Sequence, residues 1–265
     1  GGMRAVRYGV TRHQVLGLTA VLGTGEVIKT GGKFVKATSG YDLTQLIIGS
    51  EGTLALATEA TLRLHPRLTH GATVLIPFPG LDEVAAAVPR VVGSGLMPTI
   101  LEYIDFITMS AITAAQGLEL GVPQDIKDAA MAYLVVVLEN RSDERVEEDV
   151  AELAELATEL GALDLYVLPS GSGAALIDAR EKAFWTAKAN GANDIIDMVV
   201  PRGSIPEYLG AVQAIGQDTG SLVVGCGHAG DGNVHLPVFQ PDADTRKDVV
   251  GRILRRSRRP AMDKG

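Results

Sequence analysis

One cysteine, Cys226, stands among the 265 residues. That excludes an intramolecular disulfide framework and fits a reducing compartment, so a cytoplasmic address, free or peripheral at the inner face of a membrane, is expected. Long hydrophobic runs are also missing. The longest strongly apolar stretch, Ala132 to Leu138, is strand-sized, whereas a membrane-spanning helix needs about 20 apolar residues, which argues against a transmembrane segment. Positive charge is scarce and unevenly placed. The last twenty residues hold eight Lys or Arg against two Asp, +6 out of a total of -8, so the rest of the chain carries -14. Such an acidic body repels nucleic acid phosphates, and the short basic end lacks the interleaved aromatics that bases stack on. No charged-then-apolar leader opens the chain, which starts Gly1-Gly2-Met3-Arg4 and reads as the inner part of a longer protein.

What is present is the composition of a globular protein, 46% hydrophobic and 21% charged, in a length that allows one large domain or two smaller ones. Residues 14 to 30 read as a β-hairpin around Gly23-Thr24-Gly25, because apolar runs flank the glycines at hairpin distance. Asp42 can cap a short helix, and a β-rich run from Thr53 to Leu64 ends at Pro66. A boundary is expected over Pro66 to Gly71. Beyond it strands at 72–78, 98–104, 132–139, 163–168 and 195–200 alternate with helices from Asp82, Asp105, Asp143 and Ala174. The helix from Asp143 to Leu160 is the most sharply marked: Val146, Val150, Leu153, Ala157 and Leu160 share a face, Ser142 offers a cap and Gly161 a stop. This order predicts an α+β domain with helices layered on one face of a mostly antiparallel sheet. A helix after Pro206, a strand over 221–227, a glycine-rich turn and a strand over 233–239 follow.

The chemistry concentrates in that last segment. In His228-Ala229-Gly230-Asp231-Gly232-Asn233-Val234-His235, two imidazoles flank a turn whose glycines let the backbone double back. Paired this way they suit a borderline divalent metal, zinc above all, or else they are polar edge residues of a hairpin held by Asp231 and Asn233. Cys226 is a third ligand on the same strand face or a packing residue. Two glycine-spaced loops, Gly1-Gly2-Met3-Arg4-Ala5-Val6-Arg7-Tyr8-Gly9 and Gly49-Ser50-Glu51-Gly52-Thr53, could admit a pyrophosphate or flat ring near bare backbone, or simply form turns; neither is a GxGxxG or Walker A motif. Arg180, on a helix beside Glu181, either grips a carboxylate with two parallel bonds or lies on a solvated face.

Taken in order, GGMRAVRYG, SGYDLTQLIIGSEGTLALATEATLRL, AREKAFW and GHAGDGNVH resemble the FAD-linked D-2-hydroxyacid dehydrogenases, which include the glycolate oxidase D subunit and the cytochrome-type D-lactate dehydrogenase. The resemblance covers about residues 1 to 245. It implies a vanillyl-alcohol-oxidase-type fold: residues 1–68 as the C-terminal part of the FAD-binding domain, and 69–245 as an α+β cap domain that carries substrate. Gly1, Gly2, Tyr8 and Gly9 are then the segment passing the FAD pyrophosphate and ribose, and Glu51, Gly52 and Leu56 the loop and strand that meet the flavin. Arg180 takes the carboxylate anchor, His228 and His235 the paired metal ligands, and Asn233 a place near the flavin. The implied reaction oxidises a small D-2-hydroxy acid to the 2-oxo acid, and the reduced flavin passes electrons to a quinone, a cytochrome or a partner flavoprotein subunit, in a homo- or hetero-oligomer.

The resemblance also implies a phosphate loop before Gly1 and an acidic metal ligand with a catalytic histidine after residue 245, so residues 246–265 read as a basic tail outside the family sequence, and this chain as an inactive fragment. The family also includes the D-2-hydroxyglutarate dehydrogenases; Phe184, in place of a hydroxyl residue of that branch, and Pro237, in place of a polar residue of some relatives, weaken the transfer of that branch's substrate. Two other classes stay open: a non-catalytic cap module that binds a flavoprotein partner, and a metal-dependent hydrolase built on His228 and His235. The hydrolase lacks a recognisable nucleophile or general base.

Overall fold

A computed structural model describes residues 2–34 and 36–257. The chain divides into two compact units, Gly1–Arg67 and Leu68–Gly265.

The first unit runs α1 (Ala5–Tyr8), α2 (Thr11–Gln14), β1 (Val15–Leu22), β2 (Val27–Gly31), α3 (Leu43–Ile47) and β3 (Ala55–Leu62). Its three strands lie in the order β2-β1-β3, all antiparallel. The expected hairpin is β1–β2, in register Val21 against Val27, with Gly25 at φ +86° in the turn. The Asp42 carboxylate accepts the Gln45 backbone N–H at 2.9 Å, which satisfies one of the donors that open α3. Val15, Leu18, Ala20, Ile47 and Ala55 form a small core on one side of the sheet.

The second unit runs β4 (His70–Phe78), α4 (Leu81–Gly93), β5 (Ile100–Asp105), α5 (Phe106–Gln116), α6 (Gln124–Ala129), β6 (Ala132–Asn140), α7 (Asp143–Glu159), β7 (Tyr166–Leu168), α8 (Ser170–Glu181), α9 (Ala183–Ala189), β8 (Asp194–Val199), α10 (Ile205–Thr219), β9 (Leu222–Val223), β10 (Cys226–Gly227), β11 (Asn233–Phe239) and α11 (Ala243–Arg256). Eight strands form one sheet in the order β7-β4-β6-β5-β10-β11-β8, with β9 alongside β11, and every pairing described is antiparallel. The fold is therefore α+β with an antiparallel sheet, as expected.

The expectation of helices on one face is corrected. Leu75, Ile104, Tyr133, Val135 and Cys226 pack on one side against Met109 and Ile112 of α5 and Leu176 and Ala179 of α8. Their strand neighbours Val74, Ile76, Phe78, Leu134 and Val136, which point the opposite way, are equally buried, and α4 and α7 pack against β4 and β6. Both faces are covered, which explains why β6 reads AYLVVVLEN, a nearly continuous apolar run rather than an alternation.

Three further differences have local causes. The strand expected over 221–227 splits into β9 and β10 because the Asp105 side chain takes the backbone N–H of Gly225, whose carbonyl in turn accepts the N–H of Asp105 at 2.9 Å. The same carboxylate caps α5 through Thr108 N–H at 2.7 Å. The helix expected from Ala174 to Ala189 is two helices meeting at Lys182. The segment from 246, read as a tail, is helical to Arg256 within α11, with Val249 and Ile253 buried and Arg256 paired to Glu207 at 2.6 Å. Residues 258–265 lie outside the described part. Among the described residues no helix is long and apolar enough to cross a membrane.

Candidate active site

Four parts of the second unit, β5, α8, β8 and the β10–β11 turn with β11, bring polar groups together. In β5, Ile100, Glu102 and Ile104 share one face of the sheet, while Leu101 and Tyr103 point to the other. Glu102 is thereby 0% exposed in the middle of an apolar strand. Arg180 in the last turn of α8 is 6% exposed, while its neighbour Glu181 is exposed, so the solvated-face alternative fails for the arginine. Arg180 Nη2 stands 2.8 Å from Glu102 Oε2. The two form a buried ion pair, with the carboxylate oxygen taking the Nη2 side of the guanidinium. Arg180 Nε is buried with no hydrogen-bond partner, and a buried donor of this kind calls for an acceptor.

The turn between β10 and β11 supplies the imidazoles. A 3-10 turn over Ala229–Asp231 is closed by Gly232 at φ +85°. There a Cβ would also run into the Val200 carbonyl, so glycine is needed for backbone angle and space alike. The chain doubles back, and the rings of His228 and His235 meet edge to face, centroids 4.9 Å apart at 83°. His228 Nδ1 lies 2.6 Å from Glu102 Oε1. His235, opposite Asp197 of β8 in the sheet register, has its Nδ1 3.7 Å from that carboxylate. Asn233 donates to Asp197 Oδ1 at 2.7 Å, leaving its own Oδ1 buried without a partner, as is Asp231 Oδ1. The Asn233 amide ties β11 to Asp197 and the Met198 carbonyl of β8, and the Asp231 carboxylate takes the Asn233 backbone N–H within a turn that its backbone bonds also close.

Electrostatics follow from burial. Desolvation pushes the Glu102 carboxyl up, against the pull of Arg180 and the hydrogen bond from His228. His235 is driven down to about 4, first by burial and then by the Arg180 charge, with Asp197 opposing. Its imidazole is therefore neutral at physiological pH, with a lone pair available. Burial raises the Asp231 carboxyl. The Cys226 thiol, pushed up to about 11 by burial, belongs to the core beneath the site, which decides its alternatives in favour of packing.

Among the described residues no group of three or more His, Cys, Asp and Glu side chains is placed to hold a metal ion. What the chain presents is the imidazole pair, two nitrogen donors of the kind a borderline divalent ion takes and fewer than the four of a closed site. In the first unit, Gly1 lies outside the described residues. Gly2, at φ +117°, has open space where a Cβ would be. Tyr8 ends α1 with its ring 4.9 Å from that of His65, and Gly9 caps that helix. Glu51 and Gly52 sit side by side at φ +52° and +77°, and the Leu56 side chain, 64% exposed, reaches within 3.3 Å of where a Gly52 Cβ would stand. Backbone at Gly2 and the apolar side chain of Leu56 are each left open at the surface.

Sequence reasoning thus named Arg180, His228, His235 and Asn233, which the fold gathers, and missed Glu102 and Asp197. The signal for Glu102 was there: one ionisable residue inside the apolar run ILEYI. Nothing in DIIDMVV marks Asp197 before its strand partner is known.

Residues 67–258 match the family described as FAD linked oxidases, C-terminal domain. An uncharacterized FAD-linked oxidoreductase of Mycobacterium tuberculosis is 57% identical over 96% of this chain and 55% of its own length. A D-lactate dehydrogenase of Anaerostipes hadrus is 34% identical over 92% of this chain and 52% of its own. Among solved structures, alkyldihydroxyacetonephosphate synthase superposes with a TM-score of 0.68 at 15% identity, over 97% of this chain and 50% of that one, a likeness of fold. The chain spans about half the length of the curated relatives it matches.

Proposed function

The chain belongs to the FAD-linked oxidases, and from that premise we propose that its second unit carries the substrate chemistry of a FAD-dependent oxidation of a D-2-hydroxy acid, of the glycolate or D-lactate class, to the 2-oxo acid. The observation that carries the reading is the buried guanidinium of Arg180, whose Nε has no hydrogen-bond partner, beside two imidazoles. A planar carboxylate can accept from Nε and from the Nη2 hydrogen that Glu102 does not take, which fixes the position and orientation of the acid. Glu102 balances the guanidinium charge from Nη2 and leaves Nε unpartnered.

FAD, when bound, supplies the acceptor for the hydride leaving Cα. A divalent ion, zinc by the chemistry of its ligands, would be held by His228 and His235 and would lower the pKa of the substrate hydroxyl. The chain's own residues do the rest. Arg180 orients the acid, the neutral His235 offers a lone pair to a Lewis acid or a proton, and apolar packing under Glu102 excludes water and strengthens each charge contact. The electrons leave to a quinone, a cytochrome or a partner flavoprotein subunit.

The direct test is anaerobic bleaching of the flavin in the whole enzyme by D-lactate and glycolate, with no response to L-lactate. An unbleached flavin with every 2-hydroxy acid tried would remove the proposal. Arg180→Lys keeps the charge but loses the two-pronged edge, so KM for the acid should rise roughly tenfold or more with flavin content unchanged. An unaltered KM would take the anchor role from Arg180.

A further inference from the structure

Glu102 has no part in the readings above except as a counter-charge, yet its two oxygens are divided between two functional groups. Oε1 faces His228 Nδ1 at 2.6 Å and Oε2 faces Arg180 Nη2 at 2.8 Å. Its own side chain is 0% exposed, His228 is 16% exposed and Arg180 7%, so water does not compete for either contact.

We infer that Glu102 is a positioning residue that sets the tautomer of His228, holding the proton on Nδ1 and so leaving the lone pair on Nε2, the nitrogen turned away from the carboxylate. An ionised carboxylate only accepts hydrogen bonds, so an imidazole nitrogen 2.6 Å from it must carry the hydrogen. Arg180, which does not give up its proton, and the hydrogen bond from His228 both favour the charged form of that carboxylate, against the burial that favours the neutral one. Two residues from distant parts of the chain are thus fixed by one buried side chain. A carboxylate behind a ligating or proton-handling histidine is the usual means of orienting the ring. The use made of the open Nε2, toward metal or substrate, rests on the proposed function; the tautomer does not.

The isosteric variant Glu102→Gln separates this role from that of a simple counter-ion. Its amide has one accepting oxygen and one donating NH2 group. The charged guanidinium claims the oxygen, since a charge-assisted bond is about twice as strong as a neutral one. The NH2 is then left facing His228 Nδ1, which must become an acceptor, and the proton moves to Nε2.

The experiment is long-range nitrogen–proton NMR of the imidazole of His228 in the full chain, treated with chelator, without flavin or substrate, at a pH well above the ordinary histidine range. The wild-type protein should show a pyrrole-type Nδ1 and a pyridine-type Nε2, and Glu102→Gln should show the two shifts exchanged. A wild-type Nε2–H tautomer overturns the inference, and so does a Glu102→Gln protein that keeps the proton on Nδ1. Should the variant fail to fold, the wild-type spectrum still decides. Because nothing in this readout depends on turnover, failure of the inference and failure of the proposed reaction are distinguishable.

Discussion

The two units solve the same problem, an antiparallel sheet in water, in different ways. In the first, β3 buries Ala55 alone of its eight residues, and Leu56 and Leu62 are more than half exposed. In the second, β6 buries six of nine residues, because helices cover both of its faces. One-sided burial leaves apolar side chains such as Leu54, Leu56 and Leu64 at the surface, available to a ligand or another surface. Two-sided burial instead creates an interior in which a carboxylate, a guanidinium and two imidazoles can be held out of water with fixed geometry. The chemistry described above needs the second arrangement, since Coulombic and hydrogen-bond contacts are stronger where the surroundings are apolar.

The contrast can be broken first by truncation. Leu134→Ala, at a fully buried position of β6, should cost about 2–5 kcal/mol, whereas Leu56→Ala on the exposed side of β3 should stay within about 0.5 kcal/mol. Denaturant midpoints of the two variants check this, and equal losses would mean that the first unit is as tightly packed as the second.

A smaller effect comes from pH. His235 has a folded value of about 4 against an ordinary 6.5, so between those values the unfolded chain binds a proton that the folded chain refuses. Stability should therefore fall as pH drops through that window. Burial raises the carboxyls of Glu102, Asp105 and Asp231. Groups raised in this way act with the opposite sign, stabilising the acid side and losing that contribution as pH rises through their folded values. Comparing wild type with His235→Gln isolates the histidine: the variant should lose the decline, and an unchanged profile would show that His235 is not held neutral.

The effect confined to a single side chain is at Cys226, 3% exposed with its thiol pushed up to about 11. A thiol reagent should modify the native protein more than about a hundredfold more slowly than the unfolded chain, because the thiolate is the reactive form. Fast native labelling would mean that the floor of the site opens to solvent.

Much of the fold was legible in local pattern. The helix from Asp143 to Glu159 announced itself by its buried stripe Val146, Leu153 and Ala157 and its cap Ser142, which accepts the Arg145 N–H at 3.4 Å. The split of β9 from β10 was not legible, since it depends on a side chain 120 residues away in sequence, that of Asp105. Helix α11 was missed because its arginines read as a solvated end, while Val249 and Ile253 alone mark its buried face. Arg180, His228 and His235 were found through motifs, but a carboxylate in a strand has no motif, and the part of Glu102 is defined only by the Arg180 and His228 side chains that reach it.

By itself the sequence determined the residue types and the local turns: a doubled-back glycine turn that can join two imidazoles, apolar strands fit for a buried sheet, a helix that carries one arginine. Which groups share a site was decided by tertiary structure, because the pairing of β5 with β10 and the packing of α8 bring Glu102, Arg180 and His228 together across 126 residues of chain. Distance in sequence carries no Coulombic energy, whereas 2.6 and 2.8 Å in a dry interior decide which charges are tolerated and where a proton rests.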